Sequence, residues 1–259
     1  MKKLIYLFAF IIAISTNSLQ AKTFFSDTLK YKYQTFEKHS KNCVKIDSIC
    51  AVFKVKYPVF ENAEFNATIQ KEMLKIFQEN NQDVQKLKSL EEASKVFLGE
   101  YDQGINEQLK DGTELNPIPW TMETTTQVAK QKGKYIMISI FTDWFTGGAH
   151  PVGMNYNLAY EAQTLKRIAL KDIFKQGYEP RLLKMAETIF RKQESLKLSD
   201  KLDESNGYFF ENGKFKLNDN FIITDKSIDF FYNVYEIKPY AAGPTLLSIP
   251  LSLIKPLLK

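Results

Sequence analysis

Alternating apolar and polar residues predict two strands near the start of the chain. Residues 29–37 are rich in tyrosine, phenylalanine and threonine, and residues 51–57 alternate until Pro58 ends the pattern. Cys43 and Cys50 lie between these two segments. The cysteine pair is therefore expected at the tip of the connection between neighbouring strands.

The hydrophobic period then changes to about four residues, which predicts two amphipathic helices. The first begins near Asn62, and the second begins at Ser89, where Glu92 completes a capping box. Residues 78–88 between them are polar and predict a loop. The two apolar stripes consist of Phe65, Ile69, Met73, Ile76 and Phe77, and of Ala93, Phe97, Tyr101, Ile105 and Leu109.

Strand patterns return in the second half of the chain. Residues 120–128 and 135–145 predict a hairpin that turns at Lys132-Gly133. Residues 195–220 are polar and predict a long surface excursion with one weak hairpin. The other predicted elements are strands at 155–160, 221–224, 228–237 and 245–249, a helix at 180–192, and a terminal helical turn from Leu251.

This order of elements predicts the α+β class, with antiparallel sheets and helices packed on one face. We expect two interlocked subdomains, an N-terminal module over residues 22–150 and a C-terminal module over residues 151–259. The boundary is soft, because strands on both sides of the glycine-rich segment 146–153 could share one sheet.

Residues 1–21 have the three-part layout of a secretory signal peptide. Lys2 and Lys3 precede an apolar run of eleven residues. A membrane-spanning helix needs about 20 apolar residues, so no stable span is expected after cleavage. Cleavage is expected after Ala21, with a cut after Ser18 as the alternative, and either predicts a periplasmic or secreted protein.

Charge and composition exclude several classes of partner. The chain has 35 basic and 30 acidic residues, and the net charge of +5 falls to +3 when Lys2 and Lys3 leave with the signal peptide. The charges are interspersed, so neither nucleic-acid binding nor a polybasic membrane surface is expected. The apolar fraction of 44% is sufficient for a buried core.

Cys43 and Cys50 are the two cysteines of the chain, and both follow the signal peptide, where thiols oxidise. We expect a structural disulfide. A redox pair usually has two residues between its cysteines rather than six, and no histidine or cysteine cluster accompanies them to form a metal site. No metal and no cofactor are expected.

Two segments stand out chemically. The first is the loop Thr146-Gly147-Gly148-Ala149-His150-Pro151, in which the glycines permit positive φ and the proline fixes the exit. The second is Tyr235-Glu236-Ile237-Lys238-Pro239-Tyr240-Ala241-Ala242-Gly243-Pro244. On a half-buried strand Glu236 and Lys238 would face solvent. Tyr240 suits recognition, because tyrosine combines contact area with a polar tip, although it could equally cover the edge of the core.

Together these motifs resemble a family of exported domains of unknown function, of the DUF3298 and DUF4163 types. Such domains occur in lysozyme-sensing anti-sigma factors of the RsiV type and beside the catalytic domain of the peptidoglycan deacetylase PdaC. The resemblance extends to residues 43–60, with the step Tyr57-Pro58, and to the helix entry at Phe65-Asn66. No deacetylase domain or spanning helix accompanies these motifs, so a stand-alone recognition module is expected.

The resemblance implies that the ligand is lysozyme or a cell-wall glycan. The candidate ligand-binding residues are Gly147, Gly148, His150, Tyr235, Glu236 and Tyr240. A purely structural envelope protein, without a saturable ligand, is a further possibility.

An enzymatic alternative is a cell-wall hydrolase or esterase in which Asp143 orients His150 as a general base. The sequence has no G-x-S-x-G or H-E-x-x-H motif, and His39 is its one other histidine. The non-catalytic interpretation is therefore favoured.

Overall fold

The computed structural model describes residues 29–44, 49–79, 87–112 and 118–259. Within these ranges the strands are β1 (Tyr31–Val44), β2 (Ile49–Phe60), β3 (Thr121–Lys132), β4 (Tyr135–Phe145), β5 (Val152–Glu161), β6 (Phe221–Ile223), β7 (Ser227–Tyr232) and β8 (Thr245–Pro250). The helices are α1 (Ala63–Glu79), α2 (Leu90–Lys110), α3 (Leu170–Ile173), α4 (Glu179–Gln193) and α5 (Leu251–Ile254). The predicted α+β class is confirmed, and the predicted signal peptide lies outside the described residues. No helix of the described ranges has the length and apolarity needed to cross a membrane.

The larger sheet is mixed, whereas the sequence predicts antiparallel sheets. Its order is β1-β2-β3-β4-β5, and every neighbouring pair is antiparallel except β2 and β3, which are parallel. A parallel neighbour requires a long crossover connection, which α1 and α2 provide. The strands β6, β7 and β8 form a separate antiparallel sheet.

The first two strands pair as predicted, and their register places Cys43 opposite Cys50 near the tip of the hairpin. The side chain of Cys43 lies outside the part of the chain that the structure describes, so the disulfide stays a prediction. β2 continues past Pro58 to Phe60. Proline is tolerated there because β3 pairs only with residues 52–56, so Pro58 has β1 as its one strand neighbour.

The helix α1 begins after Asn62, whose Oδ1 accepts the backbone N–H of Phe65 at 2.8 Å. This bond satisfies a donor that a helix start otherwise leaves unpaired. All five residues of the predicted stripe are buried. In the first turn, the side-chain amide of Asn66 bonds to both the N–H and the carbonyl of Phe60 at 2.7 Å, which joins α1 to the end of β2.

Ser89 caps α2 as predicted, with its Oγ accepting the N–H of Glu92 at 3.1 Å. The carboxylate of Glu92 reaches back to the N–H of Lys88 at 2.7 Å, one residue before the position that a capping box uses. Four residues of the predicted stripe are buried, and the fifth, Leu109 in the last turn, is 53% exposed.

The strand β4 contributes to two hydrophobic cores. Ile136, Ile138 and Ile140 belong to a core shared with α1 and α2, whereas Met137 packs into a second core with α4 and the smaller sheet. Successive strand side chains point to opposite faces. Helices therefore cover one face of the large sheet, and the C-terminal half covers part of the other. Because β5 belongs to this sheet, the two halves share it across residue 150.

Two asparagines of the C-terminal half bond to the outer edge of β5. The Oδ1 of Asn233 accepts the N–H of Asn155 at 2.7 Å, and its Nδ2 donates to the carbonyl of Asn155 at 3.0 Å. Asn220 accepts the N–H of Asn157 at 2.7 Å and donates to the same Asn155 carbonyl at 2.7 Å. These amides occupy the place of a sixth strand and satisfy edge groups that need hydrogen-bond partners.

Residues 195–220 are mostly exposed or partly exposed, but four of their side chains, Leu202, Tyr208, Phe210 and Phe215, pack into the second core, which the predicted surface excursion does not include. The segment has two 3-10 turns, Glu204–Asn206 and Glu211–Gly213, instead of the predicted hairpin, and the buried aromatic side chains lie beside these turns. Phe190 of α4 contacts three of these rings, Tyr208, Phe210 and Phe215, at centroid distances of 5.7, 5.5 and 5.2 Å. The spacing of these three rings as a set follows neither the strand nor the helix period. Because polar residues surround them, the sequence pattern does not identify them as buried.

The predicted helix at 180–192 is confirmed as α4, with proline in its first turn. Its buried residues include Leu182, Ala186 and Phe190. The terminal helical turn is also present as α5. The strand β7, however, ends at Tyr232 rather than continuing to residue 237.

Candidate functional site

The loop between β4 and β5 has one position that requires glycine. Gly147 has a φ of 88°, in the left-handed region that residues with a Cβ rarely adopt. Gly148 has no positive φ, and nothing lies within 4 Å of a Cβ built on it. The conformation of the loop therefore depends on Gly147, and Pro151 connects the loop to β5.

The second motif forms a turn rather than the predicted strand. The N–H of Asn233 donates to Oε2 of Glu236 at 2.8 Å, and Tyr235 has a φ of 65°. A strand arrangement with Glu236 and Lys238 side by side on the solvent face is therefore wrong. Glu236 is exposed, whereas the Nζ of Lys238 lies 3.1 Å from Oε2 of Glu194 in a largely buried ion pair.

The two motifs meet through His150, Tyr235 and Tyr240, which we call the aromatic cluster. The rings of His150 and Tyr240 are stacked, with centroids 3.7 Å apart and planes at 17°. Tyr235 lies against Tyr240 with a centroid distance of 5.4 Å and is 52% exposed. The cluster thus presents aromatic surface to solvent, and its members come from both halves of the chain.

The cluster is held by one backbone carbonyl. The hydroxyl of Tyr240 donates to the carbonyl oxygen of Pro151 at 3.0 Å, and Nδ1 of His150 lies 3.0 Å from the same oxygen. A carbonyl oxygen accepts only, so Nδ1 must carry a proton to make this bond. In the neutral ring this leaves Nε2 as the acceptor.

Asp143 does not orient His150. No hydrogen bond or ion pair joins these two side chains, both of which lie in the described part of the chain. Asp143 sits on β4 opposite Glu123 and Gly153. A base that relies on a carboxylate for its orientation is therefore not assembled here.

Glu236 belongs to a polar cleft of about 300 Å³ between α1 and the C-terminal half. Its Oε1 accepts a bond from Nδ2 of Asn218 at 2.7 Å, while Oε2 accepts the N–H of Asn233. These bonds give the carboxylate a role in holding the turn. The other charged side chains that line the cleft are Glu72, Lys75, Arg167 and Asp219.

A second cleft, of about 280 Å³, contains both tryptophans of the chain, Trp120 and Trp144. The sequence pattern places these residues only in predicted strands. The signal that could have found them is their rarity, since no other tryptophan occurs in the sequence. The cleft is lined by Phe53, Phe77, Leu87, Ala93, Val96, Phe97, Glu100, Trp120, Met122, Trp144 and Thr146.

Across the residues that the structure describes, no group of three or more histidine, cysteine, aspartate or glutamate side chains is arranged to hold a metal ion. His39, for example, is paired with a single carboxylate. Its Nε2 pairs with Oε1 of Glu37 at 3.0 Å on the exposed surface of β1.

Two family models match successive segments of the chain. Residues 37–153 match the family described as Deacetylase PdaC. Residues 171–252 match the family described as Protein of unknown function (DUF3298). The predicted resemblance to these two families is confirmed, while the resemblance to the DUF4163 and RsiV types stays a prediction. No curated protein matches the chain.

Two solved structures share the fold. A member of the DUF3298 family from Bacteroides fragilis NCTC 9343 superposes with a TM-score of 0.69 at 20% identity, covering 90% of this chain and 94% of its own. A DUF3298 family protein from Pseudomonas aeruginosa PAO1 gives a TM-score of 0.64 at 19% identity, covering 90% of this chain and 96% of its own. The arrangement of both halves is thus similar in these proteins.

Proposed function

We propose that this chain, in which a segment of the PdaC type is followed by a segment of the DUF3298 type, is an exported protein that binds lysozyme or a cell-wall glycan without catalysing a reaction. The observation that carries the proposal is the aromatic cluster of His150, Tyr235 and Tyr240, in which Tyr235 is exposed and the other two rings are partly exposed. Export is supported by the signal-peptide pattern of residues 1–21.

The cluster has the properties of a preformed contact surface. Aromatic residues with a polar tip are enriched among the residues that dominate binding energy. The shared bonds to Pro151 and the stacking of His150 on Tyr240 hold two rings in place before a ligand arrives. Order that exists before binding reduces the entropy lost in the complex.

One feature of the site is compatible with the enzymatic alternative. With Nδ1 of His150 donating to Pro151, Nε2 of the neutral ring is an acceptor that could take a proton. In a hydrolase or esterase, His150→Ala would abolish turnover of a peptidoglycan or ester substrate at unchanged melting temperature. That result would overturn the non-catalytic proposal.

The test is a calorimetric titration of residues 22–259 with lysozyme, repeated with soluble peptidoglycan fragments. Saturable heat with either ligand is expected, and Tyr235→Ala should weaken the affinity at least about tenfold, because it removes the most exposed ring of the cluster. Leu109→Ala is the matched control, because Leu109 is 53% exposed on α2 and Tyr235 is 52% exposed.

The same titration separates the possibilities. Binding that is lost with Tyr235→Ala and kept with Leu109→Ala supports recognition through the cluster. Absence of saturable heat with both ligands would contradict the proposal and would favour a purely structural envelope protein.

A further inference from the structure

We infer that the cleft between α2 and the amino-terminal end of β3 is a subsite for one pyranose ring of an amino-sugar glycan, stacked on Trp120 and Trp144. This inference rests on the glycan form of the proposed function and assigns that ligand a second place of contact. The cleft is separate from the aromatic cluster in its residues.

The sheet places the two tryptophans on the face that carries the helices. Phe53 on β2 pairs with Met122 on β3, which pairs with Trp144 on β4, so these three side chains form one row across the sheet. Trp120 lies just before β3, where its carbonyl accepts the N–H of Val52 at 2.9 Å. Both indoles therefore face the space beside α2.

Trp120 is fixed by its neighbours before any ligand binds. Its ring lies 5.8 Å from that of Phe97 and 5.7 Å from that of Tyr101, both on α2. These contacts hold one wall of the cleft. A rigid aromatic wall binds a ring without losing side-chain freedom.

Trp144 differs from a core residue. It is half-buried, and within the described part of the chain it is not among the side chains that pack against either hydrophobic core. A large indole that lines a cleft without completing a core has contact surface left for a ligand.

The chemistry of the walls fits a sugar ring. A pyranose presents C–H groups on its face and hydroxyl groups around its rim, so it needs apolar walls with a few polar groups at the edge. Here the walls are aromatic and aliphatic, and the polar groups come from Glu100 and Thr146, both exposed. The volume of about 280 Å³ is just below the range of about 300–1,000 Å³ that is usual for ligand sites, which suits a single ring and not a larger ligand.

The loop of the aromatic cluster also borders this cleft. Thr146 lines it, and a Cβ built on Gly147 would lie 3.8 Å from Nε1 of Trp120. His150 lies near the other end of the same loop, just before Pro151. A glycan longer than one ring could therefore contact the cleft and the cluster along a single loop.

Intrinsic tryptophan fluorescence, excited selectively over tyrosine, tests the inference because both tryptophans of the chain line the cleft. The full mature chain, residues 22–259, is titrated with N-acetylglucosamine oligomers and with soluble peptidoglycan fragments. A saturable spectral change is expected. Val96→Phe, which fills the cleft from α2, should weaken glycan affinity at least tenfold. Glu100→Gln should weaken it several-fold, and Glu107→Gln, at an exposed position later on α2, should leave it unchanged.

The outcomes separate this inference from the proposed function. Calorimetry could detect glycan binding that causes no fluorescence change, or binding that keeps full affinity in both Val96→Phe and Glu100→Gln. Either result would mean that the glycan binds elsewhere. It would overturn this inference and leave the proposed function intact. Lysozyme binding without glycan binding has the same effect. If neither ligand binds, the proposed function itself fails. A circular dichroism spectrum of each variant confirms that it is folded.

Discussion

The side-chain amide of Asn233 pairs with both backbone groups of Asn155, although 78 residues separate them in the chain. An amide carries one acceptor and one donor group, so it can imitate the peptide group of a neighbouring strand. Asn66 makes the same two-point contact with Phe60 at the end of β2. The fold thus uses asparagine at places where a strand lacks a partner.

Asn233→Ala should destabilise the protein by about 1–3 kcal/mol, because it leaves a backbone donor of Asn155 without its partner in the interface between the halves. Chemical denaturation followed by circular dichroism measures this change. Hydrogen exchange should also accelerate at the amide of Asn155.

Asn106→Ala is the control for this substitution, because Asn106 lies exposed on α2. It should change the free energy of unfolding by less than about 0.5 kcal/mol. Equal stability of the two variants would show that water replaces the Asn233 amide at no cost.

The contrast between Ser89 and Asn233 shows which parts of the fold can be predicted. Ser89 bonds to a residue three positions away, and the buried stripe of α2 repeats every fourth residue, so both signals are local in sequence. The contact between Asn233 and Asn155 depends on which strand lies at the sheet edge, which no local pattern specifies. The same reason explains why the parallel pairing of β2 and β3 differs from the prediction.

The candidate site likewise has some features that sequence motifs predict and others that they do not. The glycine loop and the late tyrosines can be identified from motifs, and the structure brings His150, Tyr235 and Tyr240 together. The orientation of His150 by Asp143, on which the enzymatic alternative depends, is absent, because Asp143 lies on β4 and Nδ1 of His150 lies beside the neighbouring Pro151 carbonyl. Sequence alone can place both residues near one loop, but it cannot give the direction of their side chains.

Gly147→Ala should cost about 1–2 kcal/mol, since a Cβ disfavours the left-handed conformation that this position adopts. The strain should also displace His150 and weaken ligand binding. Gly148→Ala is a matched control on the same loop, because Gly148 has open space around it and no positive φ. Thermal unfolding and calorimetric titration of both variants give the comparison, and equal behaviour would show that the loop shape does not depend on Gly147.

The opposed positions of Cys43 and Cys50 in the β1–β2 register lead to a prediction about the expected disulfide. Thiol titration of the denatured, unreduced mature protein should detect no free cysteine. Replacing both cysteines with serine should lower the free energy of unfolding by no more than about 3 kcal/mol, because the closed loop is short. Two titratable thiols in protein produced in an oxidising compartment and purified without reductant would contradict the expected bond.

The free energy of unfolding should fall as the pH rises from 10 to 12, because the folded and unfolded states bind the proton of Tyr208 with different pKa values. Its side chain is 7% exposed, and burial, reinforced by the Glu194 carboxylate, raises its pKa to about 12. An unfolded tyrosine has a pKa of about 10, so in this range the unfolded chain releases a proton that the folded chain retains. The contribution is complete below pH 10 and is lost progressively above it, up to about 3 kcal/mol for a shift of this size.

Tyr208→Phe removes this titration and also the hydrogen bond to Oε2 of Glu194 at 3.1 Å. The variant should therefore be somewhat less stable than the wild type at pH 8, and the gap should narrow as the pH approaches 12. Denaturation curves of the two proteins at several pH values measure the gap. A constant difference across the range would mean that Tyr208 titrates alike in the folded and unfolded chains, which its burial beside a carboxylate argues against.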